Sequence, residues 1–288
     1  MKKNGIFSRV FMALVYFFLY APIFVLIAFS FNALKSRTTW GGFSLQWYVR
    51  LFQNSQIMDA LQTTVLVSVL AAVIATVAGT AAAIGFYSMK RRSRDLCLAV
   101  NNVPMTNADI ITGVSLMLLF VAAGKALGFN QGFGTLLLAH ITFDIPYVIL
   151  SVLPKLRQLD SNVFEAAQDL GATGWYAFRR VIFPEISPGI VNGLMIAFTM
   201  SIDDFVISYF TAGSQTSTLA MVIYSMTRRK ISPEINALST LMFLVVLTLL
   251  IVVNVRQSRQ DRLAARQSAN LTSPADAAML DADGDDTW

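Results

Sequence analysis

Four carboxylates lie inside apolar stretches of the sequence, where a charge has little water: Asp109, Asp144, Asp203 and Asp204. A charged Asp at the centre of a bilayer costs about 2.5–3.5 kcal/mol on insertion scales, so such a group faces a cavity or a partner. Around the last pair, Ser201, Asp204, Ser208 and Thr211 recur at helical spacing and draw one polar stripe along an otherwise apolar helix. Asp203 stands about 100° around from Asp204, so the two can border one wide cavity but not one line. Phe205, Tyr209 and Phe210 follow, and their ring faces attract cations. The chemistry open to such a set is recognition of a cation whose desolvation must be offset by anions and acceptors. Asp109 closes the stretch NNVPMTNAD, where Pro104 and its Asn neighbours interrupt a span. Non-helical backbone at that depth is tolerated where it lines water or protein. Asp144 precedes Ile145 and Pro146, which also suits support of a kink.

Other chemistry is excluded by composition. A single cysteine, Cys97, forbids a disulfide framework, and a single histidine, His140, leaves no Cys/His cluster with metal-ligand spacing. No Gly-rich phosphate loop occurs, so the chain is expected to bind no nucleotide cofactor itself, with any ATP hydrolysed by a partner. Two carboxylates on different helices could share a proton, as in an intramembrane aspartyl protease, with Asp144 opposite Asp203 or Asp204. The Gly-x-Gly-Asp sequence of such enzymes is absent. A proton-coupled transporter is a further alternative, separable by the ATP dependence of uptake.

The elements that must position these groups are membrane helices. The mean hydropathy is +0.59 and 55% of the residues are hydrophobic, too apolar for an ordinary soluble domain. Windows of roughly 20 apolar residues, the length of a spanning helix, fall near Val10–Phe31, Leu61–Tyr87, Leu96–Ala123, Thr135–Leu153, Pro188–Ala212 and Ile235–Val255. The first is long for a signal core and is followed by no small-residue cleavage site, so it is expected to remain as a span. Basic residues cluster at Lys2, Lys3 and Arg9, at 90–94, at Lys155, Arg157, Arg179 and Arg180, and at 256–266. The positive-inside rule then places both termini in the cytoplasm, against the local exception Arg228–Lys230. The expected organisation is a cytoplasmic N-terminus over 1–9, a first span and external loop over 10–59, a five-helix transmembrane domain over 60–255, and a polar, disordered cytoplasmic tail over 256–288. In the external loop, Trp40, Trp47 and Tyr48 suit an amphipathic segment at the outer interface.

Between the fourth and fifth windows the sequence turns charged and amphipathic, reading EAAQDLGATGWYAFRRVIFP over 165–184. Val163, Ala166, Ala167 and Leu170 recur at helical spacing, Gly171 suits a left-handed cap, and a second helix is expected from about Thr173 to Pro184. This block resembles the EAA loop of permease subunits in type I ABC importers, on Glu165, Ala166, Ala167, Gly171, Ile182 and Pro184, with Phe183 where Leu is usual. The resemblance extends over most of 55–255, and the polyamine (spermidine/putrescine) branch is the best match, with softer support from SIDD at 201–204 and ISPEINALST at 231–240.

The resemblance implies an all-α, polytopic fold with six transmembrane helices and a cytoplasmic coupling helix, seated in the bacterial inner membrane. It further implies a second permease, two ATP-binding cassette ATPases that receive the coupling elbow, and an extracytoplasmic substrate-binding protein. Asp204, Asp203, Asp109, Ser201, Ser208 and Tyr209 would then border a polyamine path. Two readings of the acids stay open, the path itself or pairing with the partner permease. A different cargo, such as another cation or an amino-acid-like compound, is the alternative within the class. Nucleic acid is not expected as a partner.

Overall fold

The computed structural model describes residues 6–36, 38–159, 167–229 and 233–271. Among these the chain is helical, with one isolated bridge pairing Asn32 and Phe43. In order, the helices are α1 (Ile6–Ser30), α2 (Gln46–Gln53), α3 (Ser55–Ser88), α4 (Arg91–Thr106), α5 (Asp109–Leu127), α6 (Phe133–Gln158), α7 (Gly174–Ala177), α8 (Phe183–Asp203), α9 (Val206–Thr211), α10 (Leu219–Arg229) and α11 (Pro233–Leu271). Among the described residues six stretches are long and apolar enough to cross a membrane, within α1, α3, α5, α6, the run from α7 through α8, and α11. That agrees with the six expected windows.

The centre of the bundle is α3, α6 and α8, packed against one another. Lipid tails are as apolar as Leu, so association inside a membrane relies on close backbone approach at small residues. Such residues repeat every fourth position here. Gly189, Gly193, Ala197 and Ser201 form the buried row of α8. Ala71, Ala75, Gly79 and Ala83 form one of α3. A Cβ on Gly79 would lie 2.8 Å from Val148, and one on Gly189 would lie 2.8 Å from the Ser151 carbonyl oxygen. Val67 clusters with Leu136 while Gly79 meets Val148, so α3 and α6 run parallel. Gly189 lies against Ser151 and Val152, and Ser201 against His140, so α8 runs the opposite way. At the margin, α1 packs against α11 and keeps its apolar side chains exposed.

Several expectations need correction. The third window is two helices: α4 passes through Pro104 and ends at Thr106, and the break falls at Asn107 and Ala108, both extended in ψ. The fifth window is also two helices, because Asp204 is extended (φ −63°, ψ 126°) and α9 restarts after Phe205. The helix expected to stop near Pro184 does not stop. A π-helical turn over Phe178–Ile182 joins α7 directly to α8. Proline has no N–H and its ring crowds the carbonyl four residues back, and one wider turn relieves both. Similarly, α6 continues through Pro146 and Pro154 as one helix. Trp47 is no interfacial anchor: it is buried at 2% exposure and donates from Nε1 to the Asn32 carbonyl at 2.6 Å. The expected tail begins as helix, since α11 runs to Leu271; residues 272–288 lie outside the described residues.

Candidate functional site

Two places hold the residues singled out by the sequence. The first is the pair of breaks in the helices that flank α6. α5 begins at Asp109, and α9 packs on its first turns, with Gly113 facing Ile207 and Phe210 so closely that a Cβ would lie 2.9 Å from the Phe210 ring. The α4–α5 break and the α8–α9 break therefore sit side by side. Tyr147, near the middle of α6, is within electrostatic range of both Asp109 and Asp144. All four carboxylates are gathered at one depth of the bundle, far apart as they are in sequence.

At that depth they divide into two kinds. Asp109 and Asp203 are exposed on the surface of the single chain, as is Tyr209 at 55%. Asp144, fully buried, accepts at Oδ2 from the Ser201 hydroxyl at 2.8 Å. Ser201 also meets His140 Nδ1 at 2.9 Å, and His140 Nε2 meets the Ser208 hydroxyl at 3.0 Å. Nε2 lies 3.7 Å from Asp204 Oδ2. Asp204 turns back on the new helix, accepting from the Ile207 N–H at 3.3 Å and the Ser208 N–H at 2.7 Å. Those are amides that a helix start leaves without an intrahelical partner, so the break is a capped helix start and not a frayed end.

The expected stripe is thus not one exposed line. Ser201, Ser208 and Thr211 are buried: the first two meet His140, and Thr211 donates to the Ile207 carbonyl while its own carbonyl accepts from Thr135. Only Asp203 and Tyr209 of the sequence-chosen set on this segment face outward, with Asp204 between the two environments. Neither do Asp144 and Asp204 face one another as a proton-sharing dyad, since Ser201 and His140 bridge them. The sequence reading missed His140. Its signal was available, because His140 and Asp144 are four residues apart and so share one face of α6.

Beside Asp203 the rings cluster. Phe205 packs in tilted contact with Tyr224 of α10, centroids 4.5 Å apart, and with Tyr209 at 5.5 Å. The Arg228 guanidinium rests 5.1 Å from the Tyr224 centroid, so these ring faces already carry one cation. Tyr209 also borders an open cavity of about 760 Å³ between α5, α9 and the loops at their ends, lined by Phe120, Lys125, Gln131, Phe210 and Gln215 among others.

The second place is the elbow at the other end of α6 and α8. Glu165 and Ala166 lie outside the described residues. From Ala167 the chain is helical for one turn and closes at Gly171 (φ +85°), where the Ala172 N–H reaches the Ala167 carbonyl at 3.1 Å and the Gly171 N–H the Gln168 carbonyl at 2.8 Å. This bond pair is a Schellman closure with Gly171 as its left-handed residue. Thr173 then caps α7 through the Tyr176 N–H at 3.3 Å. Leu170 at 91% exposure and Tyr176 at 57% border a concavity of about 460 Å³ with Ala167, Gly171, Thr173 and Ala177, and Trp175 is itself exposed at 72%. Ile182 closes the π turn and Pro184 enters α8, so the elbow is continuous with the helix that ends at the Asp203–Asp204 break.

Comparison with known proteins adds the lineage. Residues 75–266 match the sequence profile of the binding-protein-dependent transport system inner membrane component. The spermidine/putrescine transport system permease protein PotC of Haemophilus influenzae is 38% identical over 84% of this chain and 92% of its own length. The putrescine transport system permease protein PotI of Escherichia coli is 40% identical over 78% and 81%. Among solved structures, a bacterial ABC transporter that imports the acidic polysaccharide alginate superposes with a TM-score of 0.69 at 17% identity, covering 88% of this chain and 94% of that one. An amino acid ABC transporter superposes at 0.54 and 20% identity, over 74% and 98%.

Proposed function

The chain belongs to the binding-protein-dependent transport system inner membrane components, and from that premise we propose that it is a polyamine-translocating permease subunit of an ATP-driven importer. It is a multi-pass protein of the inner membrane and a transport subunit of the ABC class. The observation that carries the cargo is the exposure of Asp109 and Asp203 level with the buried Asp144 of the membrane-length α6, beside two helix breaks and a cluster of aromatic rings. Carboxylates in that position cannot face lipid without a cost of a few kcal/mol each. They face a second permease and a water-filled path between the two, and the ammonium groups of putrescine or spermidine satisfy them there. The names borne by the PotC and PotI relatives point to the same cargo.

The exposed apolar elbow, Leu170, Trp175 and Tyr176 about Gly171, is the docking surface for an ATPase subunit. Its direct continuity through the π turn into α8 lets a rigid push at the elbow reach the break at Asp204. An external binding protein delivers the cargo, two ATPases hydrolyse ATP, and both termini lie in the cytoplasm. Uptake of labelled putrescine and spermidine by the assembled complex in proteoliposomes, with ATP inside or absent, tests this reading. ATP-dependent uptake of either polyamine is expected. Uptake without ATP, or transport of neutral solutes only, would overturn it.

A further inference from the structure

His140 is a single imidazole whose two nitrogens are taken by hydroxyls from opposite sides of a helix break. Nδ1 meets Ser201, three residues before Asp204 on α8, and Nε2 meets Ser208, four residues after it on α9. The ring is 1% exposed and is carried by α6, a helix that runs unbroken past both contacts. Phe143 packs edge-on against it, which fixes the ring plane. We infer that His140 is a positioning residue that staples the two halves of the broken fifth span to α6 and so fixes where Asp203 and Asp204 present their carboxylates.

Rigidity is needed here because the break has little of its own. α9 has only 6 residues, far too few to hold itself together as an isolated helix. Asp204 caps it from the inside, and the cap works only while Ser208 stays in register with the end of α8. The imidazole sets that register from outside the broken segment. Ser201 completes the arrangement by donating its hydroxyl hydrogen bond to Asp144, which leaves its lone pairs to accept from Nδ1–H. Nε2 meets the Ser208 hydroxyl, and Asp204 lies 3.7 Å beyond. Displacing the ring would free α9 to rotate and carry Asp204 with it. Misplacement of a recognition group by about 1 Å is enough to cost on the order of a hundredfold in productive engagement.

This inference rests on the reading of Asp203 as a substrate carboxylate, with its neighbour Asp204 holding the start of α9. Its test uses the assembled transporter and three substitutions. His140→Phe keeps volume and removes both bonds, His140→Gln can reach Ser208, and His140→Asn can reach Ser201. At matched amounts of complex, the concentration for half-maximal putrescine uptake should rise by roughly tenfold or more in His140→Phe. The amide variants should recover part of that loss, while maximal uptake changes less. Unchanged half-saturation in His140→Phe overturns the proposal, and so does loss of complex accompanied by normal half-saturation in what remains. If wild-type complex moves no polyamine, the functional reading falls instead. The staple is then judged by hydrogen exchange of the Ile207 and Ser208 amides, which must accelerate in His140→Phe; unchanged exchange refutes it.

Discussion

Gly171→Ala and Gly171→Val isolate backbone strain at the elbow, because a side chain there would meet nothing. No atom lies within 4 Å of a Cβ built on Gly171, and the residue is exposed. The whole penalty is therefore conformational. At φ +85° an L residue pays about 1–2 kcal/mol relative to glycine, more if branched at Cβ. One to two kcal/mol corresponds to a factor of roughly 5–30 in the population of the closed elbow. The two bonds of the Schellman closure are then broken roughly 5–30 times more often relative to the closed state, and Leu170 loses its fixed place at the elbow. Gly171→Asn is the control, since Asn tolerates the left-handed region better than other non-glycine residues. Membrane abundance, co-purification of the ATPase and uptake should be measured on the same preparations. We expect normal abundance in all three, with ATPase retention and uptake falling in the order Asn, Ala, Val. Wild-type retention and uptake by Gly171→Val would refute the elbow as the coupling surface. Loss of abundance in all three would refute the claim that the strain stays local.

Other expectations follow from the same structure. Gly189→Ala should lower the amount of folded protein, since its Cβ would press at 2.8 Å on the Ser151 carbonyl oxygen, whereas Gly85→Ala should not, having nothing within 4 Å; heat-dependent aggregation in detergent distinguishes them. Asp204→Asn retains one acceptor for the α9 amides but removes the charge, so it should reduce polyamine uptake by tenfold or so at matched complex, with ATPase still bound; dissociation of the complex would show that the carboxylate serves assembly. Asp203→Asn should have the same or a smaller effect, and Asp144→Asn the least, because Asp144 is walled off behind Ser201. Reporter fusions after Arg94 or Gln158 should be cytoplasmic and those within 213–217 external; a Gln158 fusion outside would invert the orientation and remove the elbow from the ATPase.

The number of spans among the described residues and the position of the Gly171 turn were both legible along the chain, because each depends on local composition or on one residue's backbone preference. Apolar length alone marks a span, and glycine alone occupies φ +85° cheaply. The rows of small residues on α3 and α8 were equally legible by their spacing of four, although they were not read. What the sequence left open were the places where a helix is neither continued nor ended by its own residues. SIDDFVISY contains no proline or glycine, and nothing local distinguishes a stripe along one helix from two short pieces meeting at Asp204. The partners that meet the two pieces on either side of the break, His140 and Asp144, stand on another helix and are invisible to local sequence. Conversely Pro184, a strong local stop signal, was overridden by a π turn that lets the elbow run on into α8. The depth shared by Asp109 and Asp203, nearly a hundred residues apart, likewise follows only from α9 packing on Gly113 of α5. Local chemistry chose the helices; contacts between helices decided which of their carboxylates are buried and which are left facing outward.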